Sequence, residues 1–152
     1  MLVALDDPDM LAAASGDNRR VRVQAVVFDI GGVLELVGTL NHDLATFFAD
    51  LRPRYRTGIL SNSFVGARER EQALYGFEDV CDVIVYSDEV GWLKPDPRIY
   101  HAVCEQLRCA PEEAVLVDDV PANIDGARAV GMHGVLFTDT AQTIADLKSL
   151  MC

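Results

Sequence analysis

Short apolar runs alternate with amphipathic segments along most of this chain. The first run, Gln24–Phe28, is continuous and ends at Asp29, before a pair of glycines. A continuous apolar run followed by a turn signal is typical of a buried strand in a parallel sheet. Four later apolar runs predict further strands: Thr57–Leu60, Val80–Tyr86, Ala114–Val117 and Val135–Phe137.

Segments with helical periodicity separate these runs. Asn41 is placed to cap a helix over Asp43–Leu51, and Pro121 is placed to begin a helix that runs to Gly131. The remaining predictions are helices at Val65–Leu74, Arg98–Leu107 and Thr143–Leu150, and a proline-containing loop at Trp92–Pro97.

Strands that alternate with helices predict an α/β fold. We expect a three-layer, Rossmann-like parallel sheet of about five strands with helices on both faces. Residues 1–20 are expected to form an N-terminal extension, with a possible helical turn at Met10–Ala14, and residues 21–152 the core domain. In such folds, ligands bind beyond the carboxyl ends of the strands.

Charge and composition narrow the possible partners. The formal net charge of −11 argues against nucleic acid, whose phosphates need clustered basic side chains. The only lysines are Lys94 and Lys148, so an anionic substrate would depend on a local cation. No apolar run approaches the ~20 residues that span a bilayer, no signal peptide is visible, and the cysteines match no zinc pattern. A cytoplasmic protein with no membrane partner is expected.

Polar residues follow four of the predicted strands and should meet at one edge of the sheet. They are Asp29, the pair Ser61 and Asn62, Lys94, and the pair Asp118 and Asp119. Clustered carboxylates repel one another unless a cation neutralises them, and Mg²⁺ binds carboxylates together with phosphate oxygens. A carboxylate can also attack a phosphoryl group and form an aspartyl-phosphate.

Four segments in this order resemble the motifs of the haloacid dehalogenase superfamily, in the subgroup that opens with an FDxGGVL-type motif. The segments are VVFDIGGVL (26–34), GILSNS (58–63), SDEVGWLKPDPRIY (87–100) and VLVDDVPANIDGARAVGMHGVLF (115–137). The resemblance covers about residues 24–150, and the four motifs together are far more specific than any one of them.

The resemblance implies a set of catalytic and phosphoryl-binding residues. Asp29 matches the nucleophile, Ser61 the hydroxyl that donates to the phosphoryl oxygens, and Lys94 the lysine that shields the nucleophile and holds the phosphoryl group. Gly32 and the backbone near Asn62 match the remaining phosphoryl-binding positions.

The resemblance also implies a Mg²⁺ site. Its ligands would be Asp29, the backbone carbonyl of Gly31, and the acidic pair Asp118 and Asp119. Asp119 falls where the family has a direct ligand. Asp118 would then bind the ion through water or support the direct ligands, but the sequence does not separate the two roles. Asn123 either supports this loop or is an ordinary helix residue.

Two departures from the family limit what the resemblance implies. Many phosphatases of the superfamily have a second Asp where this chain has Gly31, and that Asp protonates the leaving group. General acid–base help is typically worth about 10²–10⁴-fold. The enzyme could therefore be slow, take substrates with good leaving groups, or use another acid.

The second departure is the missing cap. Asp29 and Ser61 lie only 32 positions apart, which leaves no room for a helical cap domain. An open site suits a phosphorylated small molecule or a phosphoprotein surface, or is closed by a second subunit of a homodimer or by the N-terminal extension. Trp92 is expected in packing, with an entrance or a dimer contact as the alternative.

These observations leave three hypotheses of function. The first is a Mg²⁺-dependent phosphatase that acts through an aspartyl-phosphate on Asp29. The second is a catalytically weak or inactive binding module, to which Gly31 and the missing cap point. The third is a dehalogenase-type hydrolase, which only the absent second Asp favours.

Overall fold

A five-stranded parallel sheet organises the computed structural model, which describes residues 22–151. The strand order is β5-β4-β1-β6-β7. The strands are β1 (Ala25–Phe28), β4 (Arg56–Ser61), β5 (Val83–Tyr86), β6 (Ala114–Asp118) and β7 (His133–Leu136), and a separate hairpin contains β2 (Glu35–Leu36) and β3 (Thr39–Leu40). The predicted extension at residues 1–20 lies outside the described residues.

Helices cover both faces of the sheet. They are α1 (His42–Asp50), α2 (Ala67–Tyr75), α3 (Phe77–Val80), α4 (Ser87–Val90), α5 (Pro97–Leu107), α6 (Pro121–Ala129) and α7 (Thr140–Met151), with a 3-10 turn at Pro111–Glu113. The predicted three-layer α/β architecture is confirmed.

Successive residues of the central strand β1 serve the two halves of the core. Val26 and Phe28 pack with Leu44 and Phe48 of α1, and the Phe28 and Phe48 rings stack with centroids 4.6 Å apart. Ala25 and Val27 belong to the opposite half, with α5 and α6. Because β1 is buried on both faces, its sequence is uniformly apolar rather than alternating.

Local capping signals define the helices as the sequence predicts. Asn41 caps α1, since its side chain accepts a hydrogen bond from the Leu44 N–H. Asp96 caps α5, and Pro121 is the first residue of α6. Gly131, just past the end of α6, has a φ of +102°, a left-handed conformation that favours glycine.

The structure differs from the sequence prediction between residues 76 and 90. The predicted strand Val80–Tyr86 is shortened to Val83–Tyr86, because Gly76 takes a left-handed conformation and the chain after it turns as α3. The short helix α4 was not predicted. The segment Glu35–Leu40, for which the sequence analysis predicts no strand, forms the β2–β3 hairpin.

No sizeable cap domain is inserted into the core within residues 22–151. The chain between β1 and β4 contains only the hairpin and α1, and the chain between β4 and Lys94 contains three short helices and β5. Over the same residues, no helix is long and apolar enough to cross a membrane. The carboxyl edge of the sheet is therefore not covered by a second domain of the described chain.

Candidate active site

Asp29 directly follows the central strand. Its backbone N–H donates to the Val117 carbonyl at 3.0 Å, which continues the ladder between β1 and β6 by one residue. The residue is only 8% exposed. Asp29 thus lies at the centre of the carboxyl edge, with β4 on one side and β6 on the other.

Lys94 is the cation of this cluster, although it enters from a loop rather than from a strand. Its ammonium group donates to Asp29 Oδ1 at 2.9 Å, to Asp118 Oδ2 at 2.7 Å and to the Leu60 carbonyl at 2.7 Å. These three acceptors use all three N–H groups. A lysine buried to this extent is tolerated because each proton has an acceptor and two acceptors are carboxylates.

Asp118 and Asp119 are adjacent in sequence but differ in environment. Asp118 is fully buried, and its carboxylate also accepts from the Val120 N–H at 2.9 Å and from the Asn123 side chain at 3.3 Å. Asp119 is exposed. Asn123 therefore supports the loop, which was one of its two interpretations, and Asp118 is held from several sides by protein groups.

Three carboxylates converge at this edge in an arrangement suited to a cation. Asp29, Asp118 and Asp119 each offer one oxygen, and these oxygens all lie within 4.8 Å of one another. An all-oxygen, carboxylate-rich donor set fits a hard divalent ion such as Mg²⁺. With Lys94 as the neighbouring cation, the three carboxylates keep an excess of negative charge that a divalent cation would neutralise.

Burial and the neighbouring charges also change the pKa of Asp29. The pKa rises from its ordinary value of 3.8 to about 7 as a net effect: burial raises it most, Lys94 lowers it, and the nearby Asp118 carboxylate raises it. Low solvent access disfavours the charged carboxylate, and one lysine shared by two acids only partly compensates for this.

Gly32 makes room for Asp119. A Cβ atom at this position would lie 2.2 Å from Asp119 Oδ2, and the residue has a φ of +81°. The Gly32 N–H donates to the Glu35 carbonyl at 2.8 Å, so it is used within the turn. Glycine is therefore favoured here because Asp119 approaches closely and the backbone is left-handed.

Unlike Gly32, Gly31 has open space at the position that a side chain would occupy. A Cβ atom there would have no heavy atom within 4 Å, and its φ lies outside the left-handed region. The structure thus places no side chain where many relatives have their second Asp, but it leaves room for one.

Ser61 and Asn62 lie at the end of β4, beside Asp29. Ser61 is buried, and its hydroxyl makes only a long contact of 3.5 Å with the Asn62 carbonyl. The Asn62 side chain accepts from the Lys94 N–H at 2.8 Å and donates to the Lys94 carbonyl at 3.1 Å. Sequence reasoning assigned this region only to phosphoryl binding and missed that the Asn62 side chain positions the Lys94 backbone.

Other supporting residues also escaped sequence reasoning. Gly126 lets the Lys94 loop approach α6, since a Cβ atom there would lie 2.7 Å from Pro95 Cβ. The Tyr100 hydroxyl donates to the Asn123 carbonyl at 2.7 Å, and the Tyr75 hydroxyl hydrogen-bonds to Glu35 of the hairpin. The two residues of each pair are far apart in sequence, so no local sequence signal predicts these contacts.

Trp92 is half-buried and packs against the core on the α5 side of the sheet. The Arg98 guanidinium lies 5.2 Å from the centroid of its ring. This position agrees with the expected packing role.

Comparison with known proteins agrees with the fold. Residues 5–131 match the family described as haloacid dehalogenase-like hydrolases. A phosphatase of Mycobacterium tuberculosis is 35% identical over 101 residues, which cover 62% of this chain and 46% of the phosphatase. The chain spans less than half the length of the curated relatives it matches, 21% in the case of the rat bifunctional epoxide hydrolase 2.

Solved structures show the same architecture. An uncharacterised protein from Corynebacterium glutamicum superposes with a TM-score of 0.74 at 24% identity, covering 85% of this chain and 95% of the other. A haloacid dehalogenase-family enzyme of Bacteroides thetaiotaomicron, in complex with magnesium and inorganic phosphate, has a TM-score of 0.67 at 16% identity and covers 76% and 94% of the two chains. At these identities the likeness concerns the fold.

Proposed function

The chain belongs to the haloacid dehalogenase-like hydrolase family, and from this premise we propose that it is a Mg²⁺-dependent phosphatase that acts through an aspartyl-phosphate on Asp29. The observation that carries the proposal is the convergence of Asp29, Asp118 and Asp119, the first two of which are paired with the buried Lys94. The similarity to a mycobacterial phosphatase supports the same reaction class.

Asp29 is the nucleophile of the proposed reaction. One of its carboxylate oxygens attacks phosphorus, the P–O bond to the leaving group breaks, and its electron pair goes to the leaving oxygen. Water then hydrolyses the aspartyl-phosphate, releases inorganic phosphate and restores the carboxylate. The central, carboxyl-edge position of Asp29 gives a substrate access from solvent while Lys94 holds one oxygen in place.

Lys94 favours the anionic form of Asp29 and orients it. Its hydrogen bond to Asp29 Oδ1 favours the charged form against the cost of burial. The same ammonium group is a fixed positive charge for the phosphoryl oxygens, and Ser61 supplies a hydroxyl donor beside it. Asn62 fixes the Lys94 backbone and so limits how far this charge can move.

The magnesium ion would be held by Asp29, Asp119, the Gly31 carbonyl and Asp118. Asp119 would be the more direct ligand of the acidic pair, because protein donors already engage Asp118. When bound, the ion supplies charge neutralisation between the carboxylates and the phosphoryl group. Asn123 and the Val120 N–H keep Asp118 oriented.

Gly31 shapes the choice of leaving group. Since it has no side chain to donate a proton, the departing oxygen takes its proton from water. Esters of acidic alcohols, such as aryl phosphates, need this proton least and should be the better substrates.

A phosphatase assay with an aryl phosphate tests the proposal. The wild-type protein should release phosphate only with Mg²⁺, and Asp29→Asn should abolish turnover. Asp125→Asn makes the same chemical change at an exposed position of α6 and should leave turnover intact. Equal hydrolysis by wild type and Asp29→Asn would refute the assignment of the nucleophile.

A binding module without turnover is the second candidate, and the absence of a side-chain acid at Gly31 favours it. It predicts that beryllium fluoride and Mg²⁺ together raise the melting temperature of the wild type, although no substrate is hydrolysed. Chloride release from a 2-haloacid would instead indicate dehalogenase chemistry.

A further inference from the structure

Exposed apolar side chains are concentrated around the proposed active site. Of the eight large hydrophobic residues that are exposed within residues 22–151, six belong to segments that leave the carboxyl edge of the sheet. We call these six the apolar rim: Leu36, Val37, Phe64, Val65, Leu93 and Val120. Of the other two, Leu74 lies in α2, and Leu136 is the last residue of β7, opposite Asp118 in the sheet.

The rim is continuous with the site along the chain. Val120 directly follows Asp119, and Leu93 directly precedes Lys94. Phe64 and Val65 come within four residues of Ser61 and are 65% and 88% exposed. Exposed apolar side chains therefore lie within a few residues of Ser61, Lys94 and Asp119 along the chain.

The hairpin contributes the other part of the rim and is held at the site. The Gly32 N–H donates to the Glu35 carbonyl, and the Glu35 side chain hydrogen-bonds to Tyr75. Val37 is fully exposed at the hairpin tip, with a φ of +49°. A β-branched residue in this conformation is strained, and a polar Asn or Gly would suit such a turn better.

Arginines near this edge have acidic partners of their own. Arg68 pairs with Glu78 and Glu89 at 2.8 and 2.9 Å. Arg98 pairs with Asp96 at 2.7 Å, and Arg70 lies 3.6 Å from Glu35. A second anionic group on a ligand would therefore compete with existing ion pairs.

We propose that the site takes phosphate monoesters whose organic group is large, uncharged and apolar, such as an aryl or long alkyl group. The inference rests on the proposed function for the position of the phosphoryl group. Exposed apolar patches in folded proteins mark binding surfaces, and the residues of this one flank Ser61, Lys94 and Asp119 along the chain.

The test measures binding, so that it does not depend on turnover. Methyl-, butyl- and octylphosphonate are titrated into the protein with saturating Mg²⁺ by calorimetry. The dissociation constant should fall about two- to fourfold for each methylene group that the rim covers. The double variant Phe64→Ser/Val65→Ser should lose most of this dependence while it binds methylphosphonate as the wild type does.

Leu74→Ser is the matched control. It removes an exposed apolar side chain of similar exposure, 56%, that lies outside the rim, and should leave all three dissociation constants unchanged. The rim residues are exposed, so their replacement should not affect folding, which the melting temperature checks.

Each result separates this inference from the phosphatase proposal. If affinity is independent of chain length although an aryl phosphate is hydrolysed in an Asp29-dependent way, the apolar substrate class is wrong and the phosphatase stands. If affinity increases with chain length but no ester is hydrolysed, the ligand class stands and the phosphatase falls. If the double variant turns a dimer into a monomer and affinity is independent of chain length, the rim is a self-association surface and the inference is overturned.

Discussion

Replacing Asp29 by Asn should stabilise the metal-free protein while it abolishes turnover. The folded structure raises the pKa of Asp29 from 3.8 to about 7, mainly through burial. A carboxylate whose pKa is raised in the folded state is destabilising once it is ionised. The asparagine side chain is nearly the same size, can accept a hydrogen bond from Lys94, and does not ionise.

The magnitude follows from linkage. Above pH 7 the folded state holds an ionised Asp29 at a cost of about 4 kcal/mol, from the difference between the two pKa values at 1.36 kcal/mol for each pH unit. As the pH falls through 7, the folded carboxyl gains its proton while the unfolded one is still ionised, and the cost shrinks to about 2 kcal/mol at pH 5. Below 3.8 both states are protonated and the cost disappears.

Urea unfolding at pH 8 and pH 5 in the presence of EDTA measures this effect. The free energy of unfolding of Asp29→Asn should exceed that of the wild type at pH 8, and the excess should be smaller by about 2 kcal/mol at pH 5. Asp125→Asn, which is exposed, should show neither change.

Added Mg²⁺ should narrow the difference in stability between the two proteins at pH 8. A concentration 100 times the dissociation constant stabilises the wild type by about 2.7 kcal/mol, whereas the variant lacks one of the three carboxylates and gains less. The expected cost of ionising Asp29 is refuted if the wild type is the more stable protein in EDTA at pH 8 and the difference does not vary with pH. The charges of the cluster would then already balance one another in the folded protein.

Three further predictions concern Gly31 and Gly32 of the site and Val37 of the hairpin. Gly31→Asp has open space for its side chain and should increase the turnover of an alkyl phosphate up to about 10²-fold by protonating the leaving group, and Gly31→Asn should not. Gly32→Ala should weaken Mg²⁺ binding, measured by calorimetry, because its Cβ atom would displace Asp119, and Gly31→Ala should have no such effect. Val37→Asn should raise the free energy of unfolding by about 1 kcal/mol in urea titrations, because it relieves a left-handed β-branched residue, and an unchanged or lower value would contradict the strain.

The sequence alone was sufficient for the five strands of the sheet and for the five longer helices. Apolar runs such as that at β1 are long enough to specify buried parallel strands, and capping residues such as Asn41 and Pro121 specify where helices begin. The expected meeting of Asp29, Lys94 and Asp118 follows from the rule that parallel strands end at the same edge.

Local signals failed where the conformation depended on distant contacts. The β2–β3 hairpin turns at Val37 and Gly38. Valine is not a turn-forming residue, so the local sequence did not predict the hairpin. The hairpin is held instead by Tyr75, forty residues away. The start of β5 was misplaced because the apolar Val80 belongs to a helical turn that packs on the core.

What only the tertiary structure decided is the electrostatics of the site and the surface around it. Whether Asp29 is buried, how many acceptors surround Lys94, and which of Asp118 and Asp119 faces solvent all depend on packing among segments far apart in the chain. Pattern in the sequence determines which residues arrive at the edge of the sheet, because period and turn signals are local. Desolvation and charge interactions depend on distances across the fold, and these exist only once the chain has folded.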